Sequence, residues 1–312
     1  MIHRVNNKKH YQKFLLQCLI LLVIVWTIDF TIGNGLRYFY FKQKGEDYRT
    51  TYSMENTTAD LLIFGSSRGN RQYHPDVFEK RLGLSCYNVS RQGQFMFYHD
   101  AVLKSILKRY TPKVVILDFR VGEFKKNKDN YDRLYCLLPY YKNHPEIRPL
   151  LEQRGKYEKL KLISAIYPFN SDMYKIALRN LPSYREEHAI IKGYIYYDNV
   201  WNRPIQKAND SKDYSIDSNI VKSYEYFIKS CVERKIKLLV VVPPYFSIKE
   251  PNDVSIAMAK EIAKRNAVKF IDYSQDTVFL NRRELIADPI HLNNNGAIVL
   301  SAMLVDSLNK NK

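Results

Sequence analysis

The chain has 312 residues, of which 46% are hydrophobic, and a formal net charge of +17. That length suits one large α/β domain or one domain with an insertion, and that hydrophobic fraction excludes a disordered chain. The basic balance favours anionic neighbours, but the lysines and arginines are scattered, with no zinc finger, RNP-like aromatic pattern or basic-region helix, so nucleic acid is not an expected partner.

Residues 1–13 carry Arg4, Lys8, Lys9 and Lys13 and no acid. Residues 14–33 follow as FLLQCLILLVIVWTIDFTIG, with only Gln17 and Asp29 strongly polar. Roughly 20 apolar residues cross the hydrocarbon core of a bilayer. A basic tail before a first span favours a cytoplasmic N-terminus, although Arg37, Lys42 and Lys44 dilute the bias. No small-x-small site follows the apolar core, so an uncleaved signal anchor is expected rather than a cleaved signal peptide. Trp26 and the run Tyr38, Phe39, Tyr40, Phe41 are expected near the outer interface. Residues 34–56 read as a linker.

From residue 57 onward, strands and helices alternate. Short apolar runs occupy 59–67, 84–90, 113–120, 236–245 and 268–274. Three are dense in Val, Ile and Leu, as strands buried on both faces of a parallel sheet should be. Helical patterns lie at 99–110, 218–234, 253–265 and 295–309. This rhythm predicts a three-layer α/β/α flavodoxin-like sandwich, its five parallel strands in the order 2-1-3-4-5. Residues 122–217 break the rhythm and are expected to form a helical insert, a cap or lid. Of the 25 tyrosines, 14 lie between Tyr131 and Tyr226. Tyr suits a surface for sugars or a partner protein, and plain helix packing explains it equally well. Cys18, Cys86, Cys136 and Cys231 form no CxxC pair and no His stands at ligand spacing from them, so they read as small buried hydrophobes and no metal is expected.

Two motifs carry chemistry. In DLLIFGSSRGNR a strand runs into Gly65-Ser66-Ser67-Arg68. A nucleophilic Ser needs such a place, on a tight turn at a strand's C-terminal end with backbone N–H groups nearby. In DPIHLNNNG, Asp288 and His291 stand three apart before a helix whose N-cap is Asn294 or a neighbour. A Ser needs a His to take its proton, and the His needs a carboxylate to orient it. Each motif alone also fits an ordinary turn or a His at a helix start; their order within five strands is what is specific.

That combination resembles the SGNH/GDSL hydrolase superfamily, over about residues 58–310 without the insert. The resemblance implies Ser67 as nucleophile, with Ser66 where that family usually has Asp, and Asp288 and His291 as its partners. NVSRQGQ after strand two matches the block that supplies an oxyanion-binding Gly, here Gly93. One block departs: after strand three the family usually has Gly-x-Asn-Asp, whereas this chain has LDFRVGEF, with Asp118 and Arg120 and no Asn. Arg120 can stand in as a charged donor for the oxyanion beside the N–H groups of Ser67 and Gly93, or serve as a structural arginine. A looser resemblance to membrane-anchored bacterial SGNH proteins implies an extracytoplasmic domain that moves acyl groups on envelope polymers. The expectation is therefore a serine esterase or acyltransferase acting on acyl, chiefly O-acetyl, esters of envelope glycans, without a cofactor. The competing expectation is an inactive SGNH-fold protein that binds a glycan or protein partner.

Overall fold

The computed structural model describes residues 2–203, 214–246 and 253–309, with side chains from residue 8 onward. Helix α1 (Ile2–Lys42) contains the apolar stretch and runs past it without a break. Residues 8–42 have a mean hydropathy of 2.3 in their most apolar window, whose surface is unburied, so this helix is long and apolar enough to cross a membrane.

The expected linker is a helix for most of its length. α1 continues to Lys42, and α2 (Glu46–Glu55) follows after a turn at Gly45. The buried face of α2 is Asp47, Thr50, Ser53 and Met54. Three of the four are polar, so hydrophobic periodicity does not reveal it. The aromatic run also divides: Tyr38 and Phe39 are exposed, whereas Tyr40 is fully buried against Tyr140 and Phe169.

Next come β1 (Leu61–Phe64), α3 (Gly69–Gln72), α4 (Pro75–Leu82), β2 (Cys86–Asn88), α5 (Met96–Leu107) and β3 (Val114–Asp118). The insert holds α6 (Asp129–Asp132), α7 (Arg148–Leu151), α8 (Glu158–Lys161) and α9 (Met173–Arg179), joined by 3-10 turns. It then forms a hairpin, β4 (Ile190–Ile191) and β5 (Tyr194–Ile195), so it is not helical throughout. The chain closes with α10 (Ser218–Glu233), β6 (Lys237–Val242), α11 (Val254–Arg265), β7 (Lys269–Asp272), α12 (Thr277–Leu280), β8 (Ile286–Asp288), β9 (His291–Leu292) and α13 (Asn294–Asn309). The end of the expected insert, residues 204–213, lies outside the described residues.

The main sheet is wholly parallel, in the order β2-β1-β3-β6-β7, which is the expected 2-1-3-4-5. Its two faces sort the strand residues by parity. Leu62, Phe64, Val115, Leu117, Val240 and Val242 face one core, shared with α5, α10, α11 and much of the insert. Leu61, Ile63, Val114, Ile116, Leu239 and Val241 face the other, closed by α4 and α13. Both faces being apolar is why these strands read as continuous Val, Ile and Leu runs. Cys86, Cys136 and Cys231 are free and buried in these cores.

β2 is an edge strand, and the insert covers it. Lys192 and Gly193, both at positive φ, make the two-residue turn of the β4–β5 hairpin. The Lys192 carbonyl accepts from the Asn88 N–H at 2.9 Å. A Cβ at Gly193 would stand 2.0 Å from the Asn88 carbonyl oxygen, so only Gly allows this approach.

Candidate active site

β1 ends at Phe64 and the chain turns sharply over Gly65 into α3. A Cβ at Gly65 would lie 2.7 Å from the Asp118 Cβ and 2.8 Å from the Gly69 Cα. At Gly69 it would meet the Ser90 Oγ at 2.4 Å. The two glycines therefore let the ends of β1, β2 and β3 close up beneath Ser66 and Ser67. This places Ser67 beyond the carboxyl end of β1, an interior strand of the sheet, where open α/β sheets bind their ligands.

The other half of the site comes from the far end of the chain. β8 and β9 form a small hairpin in which Asp288 pairs with His291. Pro289 occupies the turn, and the Asp288 carboxylate accepts from the N–H groups of Ile290 at 2.9 Å and His291 at 3.0 Å. Gln72 of α3 donates to the Ile290 carbonyl at 2.9 Å, which ties this hairpin to the helix after Ser67. Behind it, Asn293 caps α13: its side-chain oxygen accepts from the Gly296 N–H at 3.1 Å. The cap is thus Asn293, the neighbour of Asn294.

These placements bring Ser67, His291 and Asp288 into line. The Ser67 Oγ lies 2.9 Å from His291 Nε2. His291 Nδ1 lies 2.8 Å from Asp288 Oδ2 and 3.0 Å from Oδ1. A carboxylate facing Nδ1 assigns the proton to that nitrogen, which leaves Nε2 free to accept from the serine hydroxyl. His291 is buried, while Ser67 and Asp288 are partly exposed. Burial pushes the Asp288 carboxyl up, but the His291 ring and the two N–H groups outweigh it and hold the group below its ordinary range.

Gly93 sits in a tight turn after β2. The Gln94 N–H donates to the Arg91 carbonyl at 3.2 Å and Gly93 takes φ +70°, a conformation that favours glycine. Among the described residues, no acceptor takes the N–H of Ser67 or of Gly93. The turn is braced from α2. Arg91 is buried and donates to Asp47 Oδ1 and Thr50 Oγ1, each at 2.6 Å, while the Gln92 N–H donates to Glu46 at 2.9 Å. The residues expected to be a linker therefore hold the NVSRQGQ block in place.

Arg120 is committed elsewhere. Its Nε donates to Glu123 at 2.7 Å and its guanidinium lies over the Phe95 ring at 3.8 Å. Glu123, buried and pushed above its usual carboxyl range by that burial, also accepts from the Met96 N–H at 2.7 Å, at the start of α5. No hydrogen bond joins Arg120 to Ser67 among the described residues. The arginine that adjoins the nucleophile is Arg68, which sequence reasoning missed. It is buried, donates from Nη2 to Asp118 Oδ1 at 3.1 Å, and stacks over Tyr245 at 4.6 Å. Its Nη1 is buried with no hydrogen-bond partner among the described residues. Tyr73 donates to the other Asp118 oxygen at 2.9 Å. Burial pushes Asp118 up, with Arg68 and Tyr73 pulling it down less strongly. The signal for Arg68 was its position directly after Gly-Ser-Ser, opposite an Asp at the end of strand three.

No family model matches the chain. No curated protein matches it either. Solved structures do resemble it. One is a putative acylhydrolase from Bacteroides fragilis, 12% identical, covering 86% of this chain and 99% of that one, with a TM-score of 0.42. Another is a GDSL-like lipase from Bacteroides thetaiotaomicron, 13% identical, covering 86% and 100%, with a TM-score of 0.40. A third is a psychrotrophic esterase from Pseudoalteromonas, 10% identical, covering 80% and 97%, with a TM-score of 0.39. What this site can do is decided by its own side chains.

Proposed function

We propose that the chain is a membrane-anchored serine esterase or acyltransferase of the SGNH type, with its α/β domain outside the cytoplasm. The observation that carries this reading is the line of hydrogen bonds from Ser67 through His291 to Asp288 beside an open strand end. His291 Nε2 takes the Ser67 proton as Oγ bonds to an ester carbonyl carbon. The carbonyl oxygen becomes an oxyanion facing the N–H groups of Ser67 and Gly93, which have no other acceptor among the described residues. His291 then returns the proton to the departing alkoxide as the ester C–O bond breaks. The acyl group on Ser67 passes to water or to a second hydroxyl by the same steps in reverse.

The substrate class follows from setting. An active site held beside a single span, in a strongly basic domain, suits acyl esters on anionic envelope polymers, chiefly O-acetylated glycans. In this reading Arg68, the residue after Ser67, serves as the cation of the site in place of Arg120. The test is labelling of the full chain in native membranes by a fluorophosphonate, beside Ser67→Ala and p-nitrophenyl acetate hydrolysis. Labelling that disappears in Ser67→Ala is the expected result. Equal labelling of both proteins removes Ser67 from the role, and no labelling of either favours a binding protein built on the same fold.

A further inference from the structure

We propose that the insert segment around α8 and α9, residues 157–181, is a second membrane contact that dips below the headgroups beside α1. The proposal rests on the reading of α1 as a transmembrane helix. It starts from Asp29, a carboxylate inside the apolar stretch 14–33. Asp29 is not left to the lipid: Ser164 Oγ donates to it at 2.5 Å, and the N–H groups of Ala165 and Ile166 at 2.6 and 3.3 Å. One turn further along, a Cβ on Gly33 would come within 2.4 Å of the Ala165 backbone, so the insert loop lies directly against the helix there. Small residues permit such close approach to membrane helices.

These contacts fix depth. Asp29 precedes Gly33 by four residues, which is about 6 Å along the helix axis. The Ser164–Ile166 loop therefore lies about that far inside the outer end of the apolar stretch, within the zone that interfacial segments occupy. The side chains around the loop agree with that position. Ile163 is 77% exposed and Leu160 is 65% exposed, and Tyr157, Tyr174 and Leu178 also face outward. In water such a cluster is unfavourable; against acyl chains it is not. The acids in the same segment, Glu158 and Asp172, are buried within the protein, whereas Lys156, Lys159 and Lys161 are exposed. Arg37 and Lys142 line a small cleft beside Gly33 and Ala165. Basic groups flanking an apolar tip match anionic headgroups. The occupant is thus the outer leaflet of the bilayer that α1 crosses, and the α/β domain is held at two points.

The test uses the full chain with Cys18→Ser, in phosphatidylcholine–phosphatidylglycerol vesicles. The remaining cysteines are buried, so an environment-sensitive fluorophore goes to one new site at a time: Ile163→Cys, Leu22→Cys in the span, or Ile298→Cys on α13 in the opposite layer. Lipids carry a nitroxide either near the headgroup or deep in the acyl chain. The expected result is that the Ile163 probe loses more than half its emission to the shallow nitroxide, the Leu22 probe to the deep one, and the Ile298 probe to neither. Quenching at Leu22 without quenching at Ile163 overturns the proposal while leaving the span intact. No quenching at either site overturns the span itself. A blue-shifted but unquenched Ile163 probe means that a protein surface, such as a second copy, covers the patch, and this also overturns the proposal.

Discussion

Arg68 and Asp118 show how much the site depends on single buried groups. Their side chains are nearly inaccessible, at 4% and 1% exposure, so neither ion can fall back on solvent if the other is lost. Removing one partner of such a pair costs about 3–5 kcal/mol, whereas replacing both by apolar groups is far milder. Arg68→Leu is therefore expected to lower the unfolding midpoint strongly, and Arg68→Leu with Asp118→Leu to recover most of the loss. Because burial already raises Asp118, the single variant's deficit shrinks as pH falls and the carboxyl becomes neutral. Thermal unfolding in detergent at two pH values checks both statements. The same two residues show a limit of motif reading. Gly65-Ser66-Ser67 and Asp288-Pro289-Ile290-His291 are legible because each is a local turn whose chemistry is contained in a few consecutive residues. Arg68 and Asp118 were visible as letters, but their pairing depends on the ends of β1 and β3 lying side by side.

Among the elements, α2 and the insert are joined by a titrating clamp. His144 Nε2 lies 2.6 Å from Glu55 of α2, and Nδ1 lies 2.7 Å from Glu146. Burial pulls the ring's pKa down, but the two carboxylates more than offset it and raise it above the ordinary histidine value of 6.5. Hydrogen bonding to His144 holds Glu55 below its usual range; Glu146 is also low, against the opposing effect of burial. A raised folded-state pKa gives stability that is complete below the unfolded value and is lost as pH rises through the folded one. The lowered carboxylates give stability that is lost as pH falls through their folded values. The clamp is therefore strongest between the carboxylate range and the raised His144 value, and it weakens on both sides. His144→Gln is expected to flatten the melting temperature against pH on the alkaline side. An unchanged alkaline slope would place the titration elsewhere. No motif marks this clamp in the sequence, because Glu55 lies 89 residues upstream of His144.

For the molecule as a whole, the end of α1 and the α/β domain pack together. Tyr40 lies on α1, beyond the apolar stretch, and is fully buried between Tyr140 and Phe169. Deleting a buried aromatic costs about 3–5 kcal/mol. A soluble form beginning at residue 45 is therefore expected to unfold at a markedly lower denaturant concentration than one beginning at residue 34. The longer form keeps Tyr40 and Phe41, whereas both forms keep α2. Equal midpoints for the two forms would show that the end of α1 contributes nothing to the domain.

Much was readable from the sequence by itself. The apolar stretch, the five strands and the two catalytic-type motifs follow from patterns in consecutive residues, and the alternation of strands with helices predicts the strand order. Hydrophobic runs, turn glycines and the spacing of Asp288 from His291 are local, and local chemistry is written in consecutive residues. Tertiary structure alone decided the rest: that α2 is a helix, that Arg68 pairs with Asp118, and that Asp29 is met by the insert. Each of these depends on a polar group finding its partner far along the chain. Burial makes such pairings obligatory, but nothing in the linear order says which partner will be there.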